Sequence, residues 1–323
     1  MNLDSMLDKC RREQWQVGDL DWNGRPREME EDDEIAIVQY FTDMAGIERL
    51  AGALFAEQAK KVDDPRLKQI FQIFVKDEVR HSHAAQMLAD YYDVHRHKPY
   101  EMNPALRRFT PHFINAVQYL SAEIANTYIT AGELILDVAL LRSINDHVHD
   151  EMSEKAMALI NRDESRHIAI DFHMVDYYCS REYAEQLKKM PKAPLGQRAK
   201  AVWAFANVLY FAAPFFRGVF FRPMQVVDPS GRRMKEAFKR IQLIGTKPTV
   251  RRSSFVKVMT ALQDAYNEQA VVRLVFGRLI ERVLGVDAEM ISRLYTEAER
   301  KRAERMSFDE LAEEALAAKY AAA

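Results

Sequence analysis

The feature that most restricts this chain is a duplicated five-residue run. Asp77-Glu78-Val79-Arg80-His81 returns 86 residues on, from position 77 to 163, as Asp163-Glu164-Ser165-Arg166-His167. Each copy lies within a stretch of helical apolar periodicity. A Glu and a His three positions apart on a helix are separated by ~60° around the axis and ~4.5 Å along it, so both side chains can reach one point beside the helix. A carboxylate oxygen paired with a neutral imidazole suits iron or manganese. A single copy would read as a solvated face held by ordinary i,i+4 ion pairs. Two copies ask for a common partner.

The surrounding pattern supplies the geometry. From Asp33 to about Lys61, Ile37, Phe41, Met44, Ile47, Leu50 and Leu54 recur at three- and four-residue steps. Asp63-Asp64-Pro65 is a turn, with Asp64 as N-cap and Pro65 in the first helical position. A second helix is expected to about Tyr92, a third from Pro111 to about Leu141, a polar break over Asn145–Asp150, and a fourth helix from about Ser153 to Tyr178. In an antiparallel hairpin, residues equidistant from the turn lie level. Glu48 and Glu78 are equidistant from the turn at 63, and Glu133 and Glu164 from a point between 148 and 149. The competing Glu57 and Glu123 lie ~14 and ~15 Å along their helices from Glu48 and Glu133. Glu48 sits among Met44, Ile47 and Leu50, and Glu133 among Ile129, Leu134 and Leu136, so both face inward. A buried lone carboxylate is costly without a partner, which favours a metal.

The order Glu48, then Glu78/His81, then Glu133, then Glu164/His167 on four successive helices resembles the ferritin-like di-iron carboxylate superfamily. That superfamily includes ribonucleotide reductase small subunits, acyl-carrier-protein desaturases, multicomponent monooxygenases, para-aminobenzoate N-oxygenases, rubrerythrins and ferritins. The resemblance covers about residues 33–180. It implies an all-α fold, a ferritin-like antiparallel four-helix bundle with additional C-terminal helices. It also implies two iron ions, or a manganese–iron pair, held by Glu48, Glu78, His81, Glu133, Glu164 and His167. In the family, the residue before a ligand Glu holds the His of the opposite helix, so Asp163 is expected at His81 and Asp77 at His167. Asp137, one turn beyond Glu133, stands where monooxygenase relatives often carry a Thr; it reads as a supporting acid or as half of a structural ion pair. Ile160 replaces the seventh-ligand His of the N-oxygenases. Ala85 replaces the radical Tyr of the reductase subunits. Tyr128 matches a Tyr of a ligand-binding oxidase.

Outside this core, residues 1–32 read as an irregular arm anchored by Trp15 and Trp22, and residues 181–323 as further helices covering or extending the 33–180 bundle. Residues 201–221 are strongly apolar but contain Asn207, Pro214 and Arg217. The expectation is a helix buried against the bundle or in a homodimer, with membrane-surface contact through 201–257 as the alternative and a genuine membrane span as a third reading. Between 217 and 257 eleven Lys or Arg face only Asp228 and Glu236. Further helices are expected over Phe255–Leu284 and Glu289–Lys319. The net charge of −2 gives no general reason to expect nucleic acid. Cys10 and Cys179 cannot make a disulfide framework, and the polar first thirty residues lack a signal-peptide core, so a cytoplasmic setting is expected.

The resemblance and the apolar segment together lead to an expected function. It is an O2-activating di-iron oxygenase or oxidase acting on an organic, apolar or acyl-type substrate, carrier- or coenzyme A-linked, with electrons from a separate reductase or ferredoxin. The alternative is a ferritin- or rubrerythrin-like iron store or peroxidase. Gly46, Gly52 and Gly132, close to Glu48 and Glu133, suggest room for oxygen or substrate beside the metals.

Overall fold

Several helices of this chain begin where its sequence supplies caps. In the computed structural model, which describes residues 1–321 apart from 190, 192, 285 and 287, there is no strand among the described residues, and the protein is all-α. The first helix, α1 (Leu3–Arg12), is capped by Asn2 accepting the Ser5 amide. α2 (Glu31–Ala59) opens on four acids, Glu31, Asp32, Asp33 and Glu34, at the positive end of its dipole. α3 (Pro65–Tyr92) starts at the Asp64 cap with Pro65 in its first turn. α4 (Pro104–Tyr119) repeats that device with Asn103 and Pro104. α5 (Ala122–Val148) follows, and α6 (Glu151–Tyr178) is capped by Asp150 accepting the Met152 amide. The α5–α6 reversal takes two residues, His149 in left-handed geometry with φ 49° and the extended Asp150 cap. Asp150 also accepts from Tyr92 Oη at 2.8 Å and from the Arg27 amide at 3.2 Å, so one side chain joins α3, α6 and the arm.

The sequence expectation of one helix from Pro111 to Leu141 is corrected. Pro111 lies inside α4, and the break falls at Leu120–Ser121, where both residues are extended. Lys61, at the end of α2, donates to the carbonyls of Val117 and Leu120 and so caps the C-terminus of α4. That cation is 59 residues from Leu120 in sequence, beyond any local pattern. The helical run of α5 continues past Leu141 to Val148, and widens to a π-helical stretch over Ile135–Leu141 immediately after Glu133. The arm is not wholly irregular either. α1 packs Leu7 and Cys10 into the core against α3 and α6, and a 3-10 turn follows at Val17–Asp19.

α7 (Arg181–Lys189) leads to α8 (Leu195–Val227). α8 lies along α4, with Phe215 stacked on Phe109 at 4.2 Å and Phe211 on His112 at 4.6 Å. α5 and α8 are both long and apolar enough to cross a membrane. The apolar window of α5 is 72% buried, that of a core helix, whereas that of α8 is 33% buried, with Val202, Trp203 and Tyr210 exposed. α9 (Arg232–Thr246) packs on the wide turns of α5. The stretch expected as one helix over 255–284 is a hairpin of α10 (Ser254–Glu268) and α11 (Ala270–Leu284), broken at the extended Gln269. The last expected helix is also divided, into α12 (Ala288–Ile291), α13 (Glu297–Arg305) and α14 (Phe308–Ala321). Thr296 and Glu299 form a reciprocal capping box, and Ser307 and Glu310 form another. The main apolar core runs from Leu7 to Ala318, so α8, α9, α13 and α14 share it with α2, α3, α5 and α6, while Tyr266, Ile280 and Ile291 form a second, smaller cluster.

The glycines do different things from one another. A Cβ at Gly52 would lie 3.1 Å from Glu78 Cβ, and one at Gly46 would meet Met102 and Leu106. These two residues let neighbouring helices approach and leave no space for a small molecule. Gly132 has nothing within 4 Å of a built Cβ. Gly132→Ala is therefore expected to raise stability by about 0.5–1 kcal/mol, the ordinary gain of Ala over Gly in a helix. Gly52→Ala should lose that gain to the contact with Glu78. Chemical denaturation of both variants checks this ordering.

Candidate metal centre

Six ionisable side chains meet at one level between α2, α3, α5 and α6. Glu48, Glu78, His81, Glu164 and His167 are fully buried, and Glu133 is 4% exposed. Their atoms form two converging sets, Glu48/Glu78/His81/Glu164 and Glu78/Glu133/Glu164/His167, each with ligand atoms within 4.8 Å of one another. Glu78 and Glu164 belong to both. Both rings turn Nδ1 inward: His81 Nδ1 lies 3.0 Å from Glu164 Oε1, and His167 Nδ1 lies 3.0 Å from Glu78 Oε1 and 3.2 Å from Glu164 Oε2. The ring centroids are 5.9 Å apart. Both oxygens of Glu48 and Oε2 of Glu133 have no hydrogen-bond partner. Buried carboxylate oxygens without donors, facing two imidazole nitrogens, are a donor set for cations. The residues present fit a pair of divalent metal ions, with each motif contributing its Glu and His and the two single glutamates completing the sets.

The outward ring nitrogens are held by the opposite copy of the run. His81 Nε2 is 3.1 Å from Asp163 Oδ2, and His167 Nε2 is 3.5 Å from Asp77 Oδ2. The arginines of both copies bind these aspartates in turn. Arg166 donates to Asp163 Oδ1 at 2.6 Å and reaches Asp77 Oδ2 at 3.4 Å, while Arg80 donates to Asp77 and, at 2.9 Å, to Asp163 Oδ2. The arm closes over this lattice. Trp15 Nε1 donates to Asp163 Oδ2 at 2.8 Å, and its ring stacks on His81 and lies under Arg80. Glu13 accepts from Arg166 at 2.8 Å, and Gln14 from Arg80 at 2.9 Å. Phe55 and Phe74 pack against His167, with centroids 5.1 and 4.1 Å away.

Burial pushes the carboxyls of Glu48, Glu78 and Glu133 above their ordinary range, Glu48 to about 7, and the charge of Glu164 raises all three further. For Glu164 burial acts in the same direction, but contacts with His167 and His81 prevail and hold it well below the ordinary range. Burial opposes charge on the histidines too, yet their contacts with Asp163, Glu164 and Asp77 raise His81 to about 10 and His167 to about 9. Two divalent ions would bring four positive charges to match the four carboxylates.

Of the other residues singled out in the sequence, Asp137 is fully buried in the wide turn of α5 but lies outside both converging sets. Ile160 and Ala85 are fully buried core residues, and Tyr128 packs edge-on against Phe113. The sequence reading missed Asp171, seven residues past Glu164 on the same face of α6. It is fully buried, neither oxygen has a hydrogen-bond partner, and burial holds its carboxyl well above the usual range. Its spacing was a usable signal. A third acidic–histidine group, Glu34 with His95 and His97, is more open: Glu34 accepts from the His95 amide at 2.9 Å and contacts the His95 ring at 2.7 Å, an arrangement complete without a metal. Beside the buried centre lies a largely apolar cavity of about 620 Å3, whose wall includes Glu133, Gly132 and, from α2, Ile47, Leu50, Ala51 and Leu54.

No family model matches this chain, and no curated protein and no solved structure matches it.

Three outcomes follow from the geometry. Purified chain loaded anaerobically with ferrous ions should hold two per polypeptide by elemental analysis, with a raised melting temperature because only the folded state binds them. Glu133→Gln, which keeps the size of the side chain, should leave the melting temperature without metal unchanged and remove the rise with metal. Asp163→Asn keeps all six converging groups but loses the charge behind His81, and should lower metal affinity by about 10–100-fold, the usual effect of removing such a partner. Titration with ferrous ion under anaerobic conditions measures it.

Proposed function

We propose that this chain is a non-haem di-iron oxygenase or oxidase that activates O2 and oxidises an organic substrate of apolar or acyl type. The observation that carries the reading is the junction of the two features just described. Glu133 belongs to the converging acid–histidine sets and also to the wall of the apolar cavity. A substrate in that cavity would lie against the metal centre, with no intervening layer of protein.

Two ferrous ions bound there would supply the reducing electrons and the Lewis acidity that O2 needs. The chain's own part is to bind, orient and exclude water. The Asp77/Asp163/Arg80/Arg166 lattice fixes both imidazole rings with Nδ1 inward. Fixed ring orientation keeps the ligands preorganised through repeated turnovers. Trp15 on one side and Phe55 and Phe74 on the other leave bulk water no direct route to the histidines. Glu133, with one oxygen unpartnered, is the carboxylate placed to shift as a molecule occupies the cavity. The electrons for a second turnover would come from a separate reductase or ferredoxin. A cavity of this size also favours substrate oxidation over iron storage, for which an apolar compartment of this kind has no use.

Anaerobic ferrous loading followed by rapid mixing with O2 tests the reading. A transient visible absorption and O2 uptake of about one molecule per two irons are expected, and Glu78→Ala should abolish both. Uptake no faster than that of free ferrous ion, or assembly into a large iron-filled shell, would refute it.

A further inference from the structure

The wall of the cavity beside Glu133 carries two chemically different sets of residues. One set is buried and apolar and includes Ile47, Leu50, Ala51 and Leu54. The other includes Arg251 and Arg252, both exposed, at the turn that precedes α10. Neither guanidinium has an ion-pair or hydrogen-bond partner among the described residues, unlike Arg80 and Arg166 in the interior. The one other acid of the wall, Glu123, accepts from Tyr183 Oη at 3.2 Å. The neighbouring chain is cationic as well: α8, which supplies another part of the wall through Val208 and Ala212, contains Arg198, Lys200, Arg217 and Arg222 and no acid. An apolar interior favours a hydrocarbon ligand. Arg251 and Arg252, with the exposed Arg181 also on the wall, favour a carboxylate or phosphate beside them, and guanidinium groups suit either.

We propose that this cavity takes an amphiphilic anion: an acyl-type chain lying along the apolar wall toward Glu133, with its acidic head held at the surface by Arg251 and Arg252. The identity of this molecule as the substrate rests on the oxygen-activating reading above, but its binding does not require the metal. An uncharged molecule of the same length would keep the apolar contacts and lose the head-group contacts. The arginine pair would then act as a specificity element, selecting a chain by its charged end and setting which carbon lies beside Glu133.

The test is equilibrium binding to the full chain, metal-free and ferrous-loaded, by titration calorimetry. The ligands are dodecanoate, dodecanoyl-coenzyme A and dodecanol, below their micellar concentrations. The anions should bind at least tenfold more tightly than dodecanol. Arg251→Glu/Arg252→Glu should remove that advantage and leave dodecanol unchanged; both positions are exposed, so folding should persist, which circular dichroism confirms. Leu50→Trp, which adds bulk to the apolar wall, should weaken all three. Preference for the thioester identifies a phosphate-bearing head, and preference for the free acid a carboxylate. Equal affinity for dodecanol and the anions, anion binding unaffected by charge reversal, or no binding of any of the three would overturn the proposal. Anion binding by a protein that takes up no oxygen would support this inference while removing the oxygen-activating one; oxygen uptake without anion binding would do the reverse.

Discussion

Six ionisable groups taken out of water at one level of a helical bundle set the terms for the rest of this structure. Burial alone would drive four carboxylates to their neutral forms and two imidazoles to theirs. The opposite charges within the cluster resist that: contacts with the histidines hold Glu164 below its ordinary range and contacts with the acids raise both histidines, while burial pushes Glu48, Glu78 and Glu133 up. Both oxygens of Glu48 are left without hydrogen-bond donors. Such an arrangement is hard to account for as a stabilising device, since an apolar core of the same volume would cost less. It is readily accounted for as a set of groups that could hold metal ions.

The surrounding parts then take on a common purpose. The two copies of the run act crosswise: the Asp of one stands behind the His of the other, and each Arg lies between the two aspartates. The arm contributes Trp15, Glu13 and Gln14 to the same lattice from outside, which explains why a segment with little apolar content is nevertheless bound tightly to α3 and α6. Gly52 brings α2 close enough to α3 for Glu48 to meet Glu78. On the far side the bundle opens through Glu133 into the apolar cavity that α8, α9 and α10 help enclose.

Much of this was legible in the sequence because it depends on local or pairwise spacing. The helical placement of both runs, the Asp64-Pro65 start of α3, and the level pairing of Glu48 with Glu78 and of Glu133 with Glu164 about His149 follow from helix geometry alone. What was not legible depends on partners far away in the chain. The α4–α5 break is held by Lys61, and the fixing of His81 uses Trp15, whose indole reaches Asp163 across 148 positions. The wide turns of α5 leave no residue-type signature. The divided C-terminal helix was different: Thr296-x-x-Glu299 and Ser307-x-x-Glu310 were visible capping signals that the charged, Ala-rich periodicity masked. The cavity could not be read at all, because its walls come from α2, α4, α5, α6, α7, α8, α9, α10 and α12 together.

The claim on which the account stands is that the centre between α2, α3, α5 and α6 holds a pair of metal ions. Anomalous diffraction at the iron edge from crystals of ferrous-loaded protein tests it most directly. The account predicts two peaks about 3.5–4 Å apart, the usual spacing of a two-metal site, one beside His81 Nδ1 and one beside His167 Nδ1, with Glu78 and Glu164 between them. Peaks confined to Glu34, His95 and His97, or no peak within bonding distance of Glu48 and Glu133, would contradict it.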